Sequence, residues 1–301
     1  MRGDILAVRN LLQEDVRGTL DLTWVGPEKG DTALHRACRF GRVEVVRELL
    51  QHPRIDVRKG NTRGGTPFSL ACQEGFAEIA GMLLADKRVE VNEPLIDGAS
   101  PFYVACQDGH LEVVGLLLED PRIDVNRAAE DGETPFYIAC VEGHAPTVAL
   151  LLRAPRVDIT APRNDGVSPF LAALENGNDD VVRLMVREPR VDVNAMNTEH
   201  TTPLWYGAQN GHTISVQYLL ASDHLVDTKV VSLFNDRNAA DQARAMGKRV
   251  KRGADTEVDH RRKVTNGPLL ASLIEEYEVN PVATRWKLRC LPILRGEIPS
   301  T

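Results

Sequence analysis

The chain has 301 residues, of which 43% are hydrophobic and 26% charged, with a net charge of −7 at neutral pH. That is ample material for a continuous core, and the negative balance gives no general drive towards nucleic acid or anionic membrane. No run nears the ~18 apolar residues of a membrane span. The opening MRGDILAVRNLL lacks the apolar stretch and small-residue cleavage site of a signal peptide, so a cytoplasmic setting is expected.

Residues 1–29 read as an incomplete repeat. Gly3–Leu12 matches Gly41–Leu50, so it opens a second helix, with Asp4 at that helix's positive end. This outweighs the likeness of Arg2-Gly3-Asp4 to an integrin-binding tripeptide. Because Met1 falls inside a repeat, sequence upstream of it is expected.

A 34-residue period follows, in register at Thr32, Thr66, Ser100, Thr134, Ser168 and Thr202. The six units are 30–63, 64–97, 98–131, 132–165, 166–199 and 200–230. A fixed period of this length means stacked supersecondary units, each burying its apolar face only against its neighbours. In five units the Thr or Ser precedes Pro, which suits a helix N-cap and first helical residue. A first helix of about nine residues should end at Gly75, Gly109, Gly143, Gly177 or Gly211, where glycine turns left-handed cheaply. The second helix repeats apolar residues at helical spacing, as in Val113, Leu116 and Leu117. Asp-Gly pairs at 97–98, 131–132 and 165–166 mark tight turns.

Residues 231–301 read as a degenerate capping repeat. Asn238–Gly247 is its first helix and Leu269–Tyr277 its second. A polar insert at about 248–267 separates them and is expected to be a mobile, removable loop. A tail helix should open near Pro281, with Trp286 and Leu288 covering the end of the stack.

The units resemble the ankyrin repeat. They run G-x-[TS]-P-F-x-x-A-C, then GH at Gly109–His110, Gly143–His144 and Gly211–His212, then a Val/Leu-rich helix, then RIDVN or RVDVN at Arg122–Asn126 and Arg190–Asn194. The usual unit has ~33 residues, one fewer than here. The extra residue falls where a Pro-Arg pair replaces the family's glycine, at Pro53–Arg54, Pro121–Arg122, Pro155–Arg156 and Pro189–Arg190. The resemblance spans about residues 30 to 230. It implies an all-α solenoid of helix-turn-helix units joined by hairpin-like turns, and a binding surface rather than an active site.

Four cysteines, Cys38, Cys72, Cys106 and Cys140, keep the period and alternate with Ala173 and Ala208. They read as small buried apolar residues; repeats stacked on the order of 10 Å apart keep them out of reach of a disulfide or shared metal. The places of His110, His144 and His212 hold Arg42, Phe76 and Asn178 in other units, which argues against metal ligation. No phosphate loop or nucleophile motif occurs. No catalytic residue, cofactor or metal is therefore assigned.

The resemblance also says where a partner would sit, on a concave face of hairpin tips and helix-one ends. Transferred by position, this face has Asp97, Asp108, Asp131, Glu133, Glu142, Asp165 and Glu175 in its middle, with no Lys or Arg in those slots. Lys29, Arg39, Phe40 and Arg63 lie towards its N-terminal end, beside Asp31 and Glu74. Tyr103, Tyr137 and Trp205 either anchor a partner or pack between repeats. The charges either focus a partner or only solvate the face. The expected function is a monomeric, non-catalytic scaffold for a protein partner with a basic surface, binding neither nucleic acid nor membrane. The alternative is the regulatory or substrate-receptor portion of a larger catalytic or transcriptional assembly. Lys248–Arg249 and Arg261–Lys263 have the spacing of a bipartite nuclear import signal, although Asp255, Glu257 and Asp259 lie between them. A solvated loop without an address is the other reading.

Overall fold

The computed structural model describes residues 5–14, 21–22, 24–26, 29–233, 235–247 and 257–291. The regular structure among them is entirely helical. Helix α1 is Ile5–Glu14. Six pairs follow: α2 Ala33–Arg39 and α3 Val43–Gln51; α4 Pro67–Gln73 and α5 Ala77–Ala85; α6 Pro101–Gln107 and α7 Leu111–Glu119; α8 Pro135–Glu142 and α9 Ala145–Arg153; α10 Pro169–Asn176 and α11 Asp179–Met185; α12 Pro203–Asn210 and α13 Thr213–Ala221. Then come α14 Ala239–Gly247, α15 Glu257–Val279 and α16 Pro281–Arg289. None of these helices is long and apolar enough to cross a membrane.

Each first helix begins and ends as its residues dictate. The N-cap hydroxyls of Thr66, Ser100, Ser168 and Thr202 accept the backbone N–H three residues on, and Pro follows at the first helical position. Such a cap is worth about 1 kcal/mol. The helices stop after seven or eight residues, slightly shorter than expected. The glycine that follows is left-handed in every unit, with φ from +64° at Gly41 to +78° at Gly143. Space demands glycine as well: a Cβ on Gly75 would lie 2.5 Å from Nδ1 of His110.

Two compact units emerge. One holds Met1–Ala139 with Leu150–Val157, and the other Cys140–Ala149 with Asp158–Thr301. In the first, α2 packs on α4 and α4 on α6, while α1, α3, α5 and α7 pack in succession. Leu34, Phe68, Phe102, Ile79, Leu83 and Leu117 are fully buried there. In the second, α10 packs on α12 and α12 on α14, and α11 packs on α13. Phe170, Val181, Met185 and Leu219 fill that core.

Three kinds of tie join neighbouring repeats, two of them in both units and the third in the first unit. The hairpin turns are linked by single backbone bonds, from Thr62 N–H to Lys29 O (3.0 Å) and from Thr198 N–H to Asp165 O (3.1 Å). His110 and His212 reach back to the carbonyls of Gln73 and Glu175 at 2.7 and 2.9 Å, and Asn178 donates to that of Cys140. An arginine at the repeat closure supplies the third: Arg122 and Arg156 of the Pro-Arg pairs, and Arg88 after Lys87. Arg122 donates to the carbonyl of Leu84 (2.7 Å), in the last turn of α5, while Asp120 holds it at 2.6 Å. Arg88 treats Leu50 and Asp86 alike, and Arg156 reaches Leu118. A cation at a helix C-terminus meets orphan carbonyls and the negative end of the dipole. These arginines hold Asp86 and Asp120 below the usual carboxylate range. The lengthened repeat thus caps the second helix of the repeat before it.

The C-terminal region departs from expectation. Residues 248–256 lie outside the described residues, but 257–267, expected as loop, is helix continuous with the segment that packs on α12, α13 and α14. The helix runs on through Pro268, whose missing N–H removes one bond of its ladder. Asn266 also donates to the carbonyl of Gly211 (2.9 Å), so the expected removable stretch is anchored at its end. Helix α16 opens at Pro281 as expected, with Asn280 accepting from Ala283 N–H. Its Thr284 and Leu288 are buried, whereas Trp286 is 72% exposed and does not cover the stack. The helix rotates one side inward, and Trp286 is on the other.

The third position of the first helix carries a further tie where it is His35, Tyr103 or Trp205. His35 is fully buried; its Nδ1 meets the N–H of Thr32 and its Nε2 the carbonyl of Gly65 (2.9 Å). Burial pushes its basicity down, against the smaller opposing pull of the Gly65 bond. The unfolded chain then binds more protons below the ordinary imidazole value of about 6.5. Its contribution is thus complete above that pH and is lost as pH falls. Between about pH 7.5 and 5.5 the thermal midpoint of the parent should fall further than that of His35→Gln; equal falls would show that His35 does not titrate on unfolding. Arg122→Ala should cost about 1 kcal/mol at most, given its exposure, lowering the midpoint by a few degrees. An unchanged midpoint in thermal unfolding would make the arginine caps incidental surface pairs.

Candidate functional site

The surface slots follow directly from the local folding. Helix one stops at a left-handed glycine, so the residue before it ends the helix at the surface: Phe40, Glu74 and Asp108 in the first unit. The hairpin turns contain a second series of left-handed glycines, Gly30, Gly64, Gly98, Gly132 and Gly166. The residue before each stands at a tip, and Lys29, Arg63, Asp97, Asp131 and Asp165 are all exposed.

In the first unit several of these groups are already engaged. Arg39 pairs with Asp31 at 3.2 Å and faces Glu74 at 3.7 Å. Phe40 is 53% exposed, with the Arg36 guanidinium 5.9 Å from its ring centre. Asp97 accepts from the N–H of Ala99 in its own turn, which leaves its charge facing solvent. Asp108 and Asp131 are exposed and form no ion pair with another described residue. Glu133 is half-buried and accepts the hydroxyl of Tyr103 (2.9 Å).

The second unit holds the rest. Glu142 is exposed at the end of α8. Asp165 is paired with Arg163 at 2.6 Å, which holds its carboxyl below the usual range. The expectation of acids without a compensating base is therefore corrected here. Arg163 lies outside the transferred slots, but the turn closes from Arg163 N–H to Val167 O and brings its side chain onto Asp165. Glu175 is half-buried, and burial pushes its carboxyl up against the pull of Arg163.

The aromatic anchors are also corrected. Tyr103, Tyr137 and Trp205 are 5%, 1% and 4% exposed, so they pack inside the stack. They occupy the same third helical position as His35, whose side chain is directed at the next hairpin. Accordingly Tyr103 bonds to Glu133, and Trp205 Nε1 donates to the carbonyl of Arg237 (3.1 Å). The readable signal was the shared register with His35. Sequence reasoning also missed Ile96, 71% exposed at the tip beside Asp97, where the neighbouring turns carry Thr62 and Glu130.

Reactive chemistry finds little to work with. Cys38, Cys72, Cys106 and Cys140 are fully buried and in no disulfide, and burial pushes the thiols of Cys38, Cys72 and Cys140 up. Thiols so placed neither ionise readily nor meet solvent. Among the described residues no group of three or more His, Cys, Asp or Glu could hold a metal ion. Of the basic clusters with nuclear-import spacing, Lys248–Arg249 lies outside the described residues.

A model of ankyrin repeats, in three copies, matches residues 1–94, 83–163 and 155–230. A comparison with curated proteins gives no match. Among solved structures, the ankyrin repeat domain of Bcl-3, described as a unique member of the IkappaB protein family, is similar over 71% of this chain and 95% of that one. The TM-score is 0.62 and the identity 24%, a likeness that speaks for the fold. With the capped helix pairs, left-handed glycines and hairpin ladder already described, the match over most of its length means that the chain belongs to the ankyrin-repeat family, whose repeats are generally protein–protein interaction modules.

Proposed function

We propose that this chain is a monomeric, non-catalytic module that holds a protein partner at its hairpin tips and helix-one ends, and that the partner presents a basic segment. The observation that carries this reading is the contrast between paired and unpaired charge. At the repeat closures, Asp86, Asp120 and Glu188 are each held by an arginine two residues on. At the tips and helix ends of the first unit, Asp97, Asp108 and Asp131 stay exposed without an ion-pair partner among the described residues. Uncompensated charge of one sign steers an oppositely charged partner and selects against others. Helices α14 to α16 serve the module as its terminal cap, closing the second unit.

A labelled Lys/Arg-rich peptide is the probe. Asp108→Lys combined with Asp131→Lys should slow its association by roughly tenfold at low salt and flatten the salt dependence, with unchanged thermal unfolding. Association rates that stay the same, with the same salt slope, would remove the basic-partner reading and leave only the general binding module.

A further inference from the structure

The tip slots of the first unit reverse sign halfway along. The residue before the left-handed glycine is Lys29, then Arg63, then Asp97, then Asp131. Backbone bonds set these tips in sequence. Thr62 N–H donates to Lys29 O (3.0 Å), Ile96 N–H to Arg63 O (3.0 Å) and Glu130 N–H to Asp97 O (3.2 Å). Each slot residue but the last is thus tied through its own carbonyl to the next turn. All four side chains are exposed, and none forms an ion pair with another described residue. The fold pairs other charges and leaves these four without an ion-pair partner among the described residues, Asp97 keeping only the bond from Ala99 N–H in its own turn.

The basic half has a recess and the acidic half does not need one. A cavity of about 110 Å³ is lined by Lys29, Arg63, Arg39, Asn61 and Gln73, among others. Arg39 is engaged by Asp31 and Glu74, and the Asn61 amide by Asp31. Lys29 and Arg63 are therefore the cations left to receive a carboxylate, and the volume admits one such group. Ile96 is exposed between the halves and offers an apolar contact. With stacked repeats on the order of 10 Å apart, the two charge centres lie roughly 20 Å apart. That is the reach of about six extended residues.

We propose that the partner's bound segment is dipolar: one extended stretch with an acidic end at Lys29 and Arg63, a Lys/Arg-rich end at Asp97 and Asp131, and an apolar residue between them on Ile96. This rests on the basic-partner reading and refines it, because a uniformly basic segment would be repelled at its far end. A nucleic acid or an anionic membrane would meet the acidic half and is disfavoured.

The test uses the full chain and three labelled synthetic peptides of about twelve residues. One carries a Glu cluster and a Lys cluster centred about six residues apart; the others are all-Lys and all-Glu in the same positions. The dipolar peptide should bind about tenfold tighter than either other, a difference of ~1.4 kcal/mol. Lys29→Glu with Arg63→Glu should shift the preference to the all-Lys peptide, and Asp97→Lys with Asp131→Lys to the all-Glu peptide. If the all-Lys peptide binds the parent as well as the dipolar one does, and Lys29→Glu with Arg63→Glu changes neither, the dipolar reading is overturned while the basic-partner reading stands. If no Lys-containing peptide binds better than the all-Glu peptide, or none of the three binds, both fall.

Discussion

A pair of helices seven to nine residues long has no inside of its own. Isolated helices of that length are marginal in water, and their apolar faces find cover only on the next pair. Every feature of this chain answers to that dependence. The N-cap hydroxyls and left-handed glycines fix where each helix starts and stops. The hairpin bonds, the His and Asn reaches and the arginine caps then fasten one repeat to the next. None of these ties is strong alone, but they recur at each step, and neighbouring steps support one another.

The same dependence sorts the polar residues into two populations. One is consumed by the stack. His35, Tyr103 and Trp205 look like ligand-binding side chains, yet each spends its polar atom on the following hairpin. Arg88 and Arg122 sit on carbonyls of the preceding repeat, and their acidic neighbours hold them there. The other population has no bond across repeats. It lies at the tips and helix ends, where side chains can change without disturbing the caps, and there the surface acquires its sign.

What could be read from the sequence was what repeats. The 34-residue register located the N-caps, the turn glycines, the tight Asp-Gly turns and the buried cysteines, because each copy corroborates the others. What escaped was local to one copy or depended on a neighbour. Arg163 neutralises Asp165 only because that turn folds its side chain back, and the transferred slots excluded it. Burial of the Tyr and Trp rings followed from their register with His35, a comparison that aromatic character obscured. Polarity suggested a loop at 257–267, but the helix that buries Leu270 and Ile274 includes it, running through Pro268. Trp286 looked like a cover and is instead solvent-facing, because it stands two residues, about 200° round the helix, from both buried Thr284 and Leu288.

If the tip charges are surplus to the stack, removing them all should leave the fold untouched. The direct measurement is the equilibrium unfolding free energy of a variant carrying Lys29→Gln, Arg63→Gln, Asp97→Asn and Asp131→Asn, in denaturant at low salt. The account predicts a value within about 0.5 kcal/mol of the parent, the usual range for surface substitutions away from special features. A loss of several kcal/mol would show that the stack needs these charges, and would contradict their assignment to a partner.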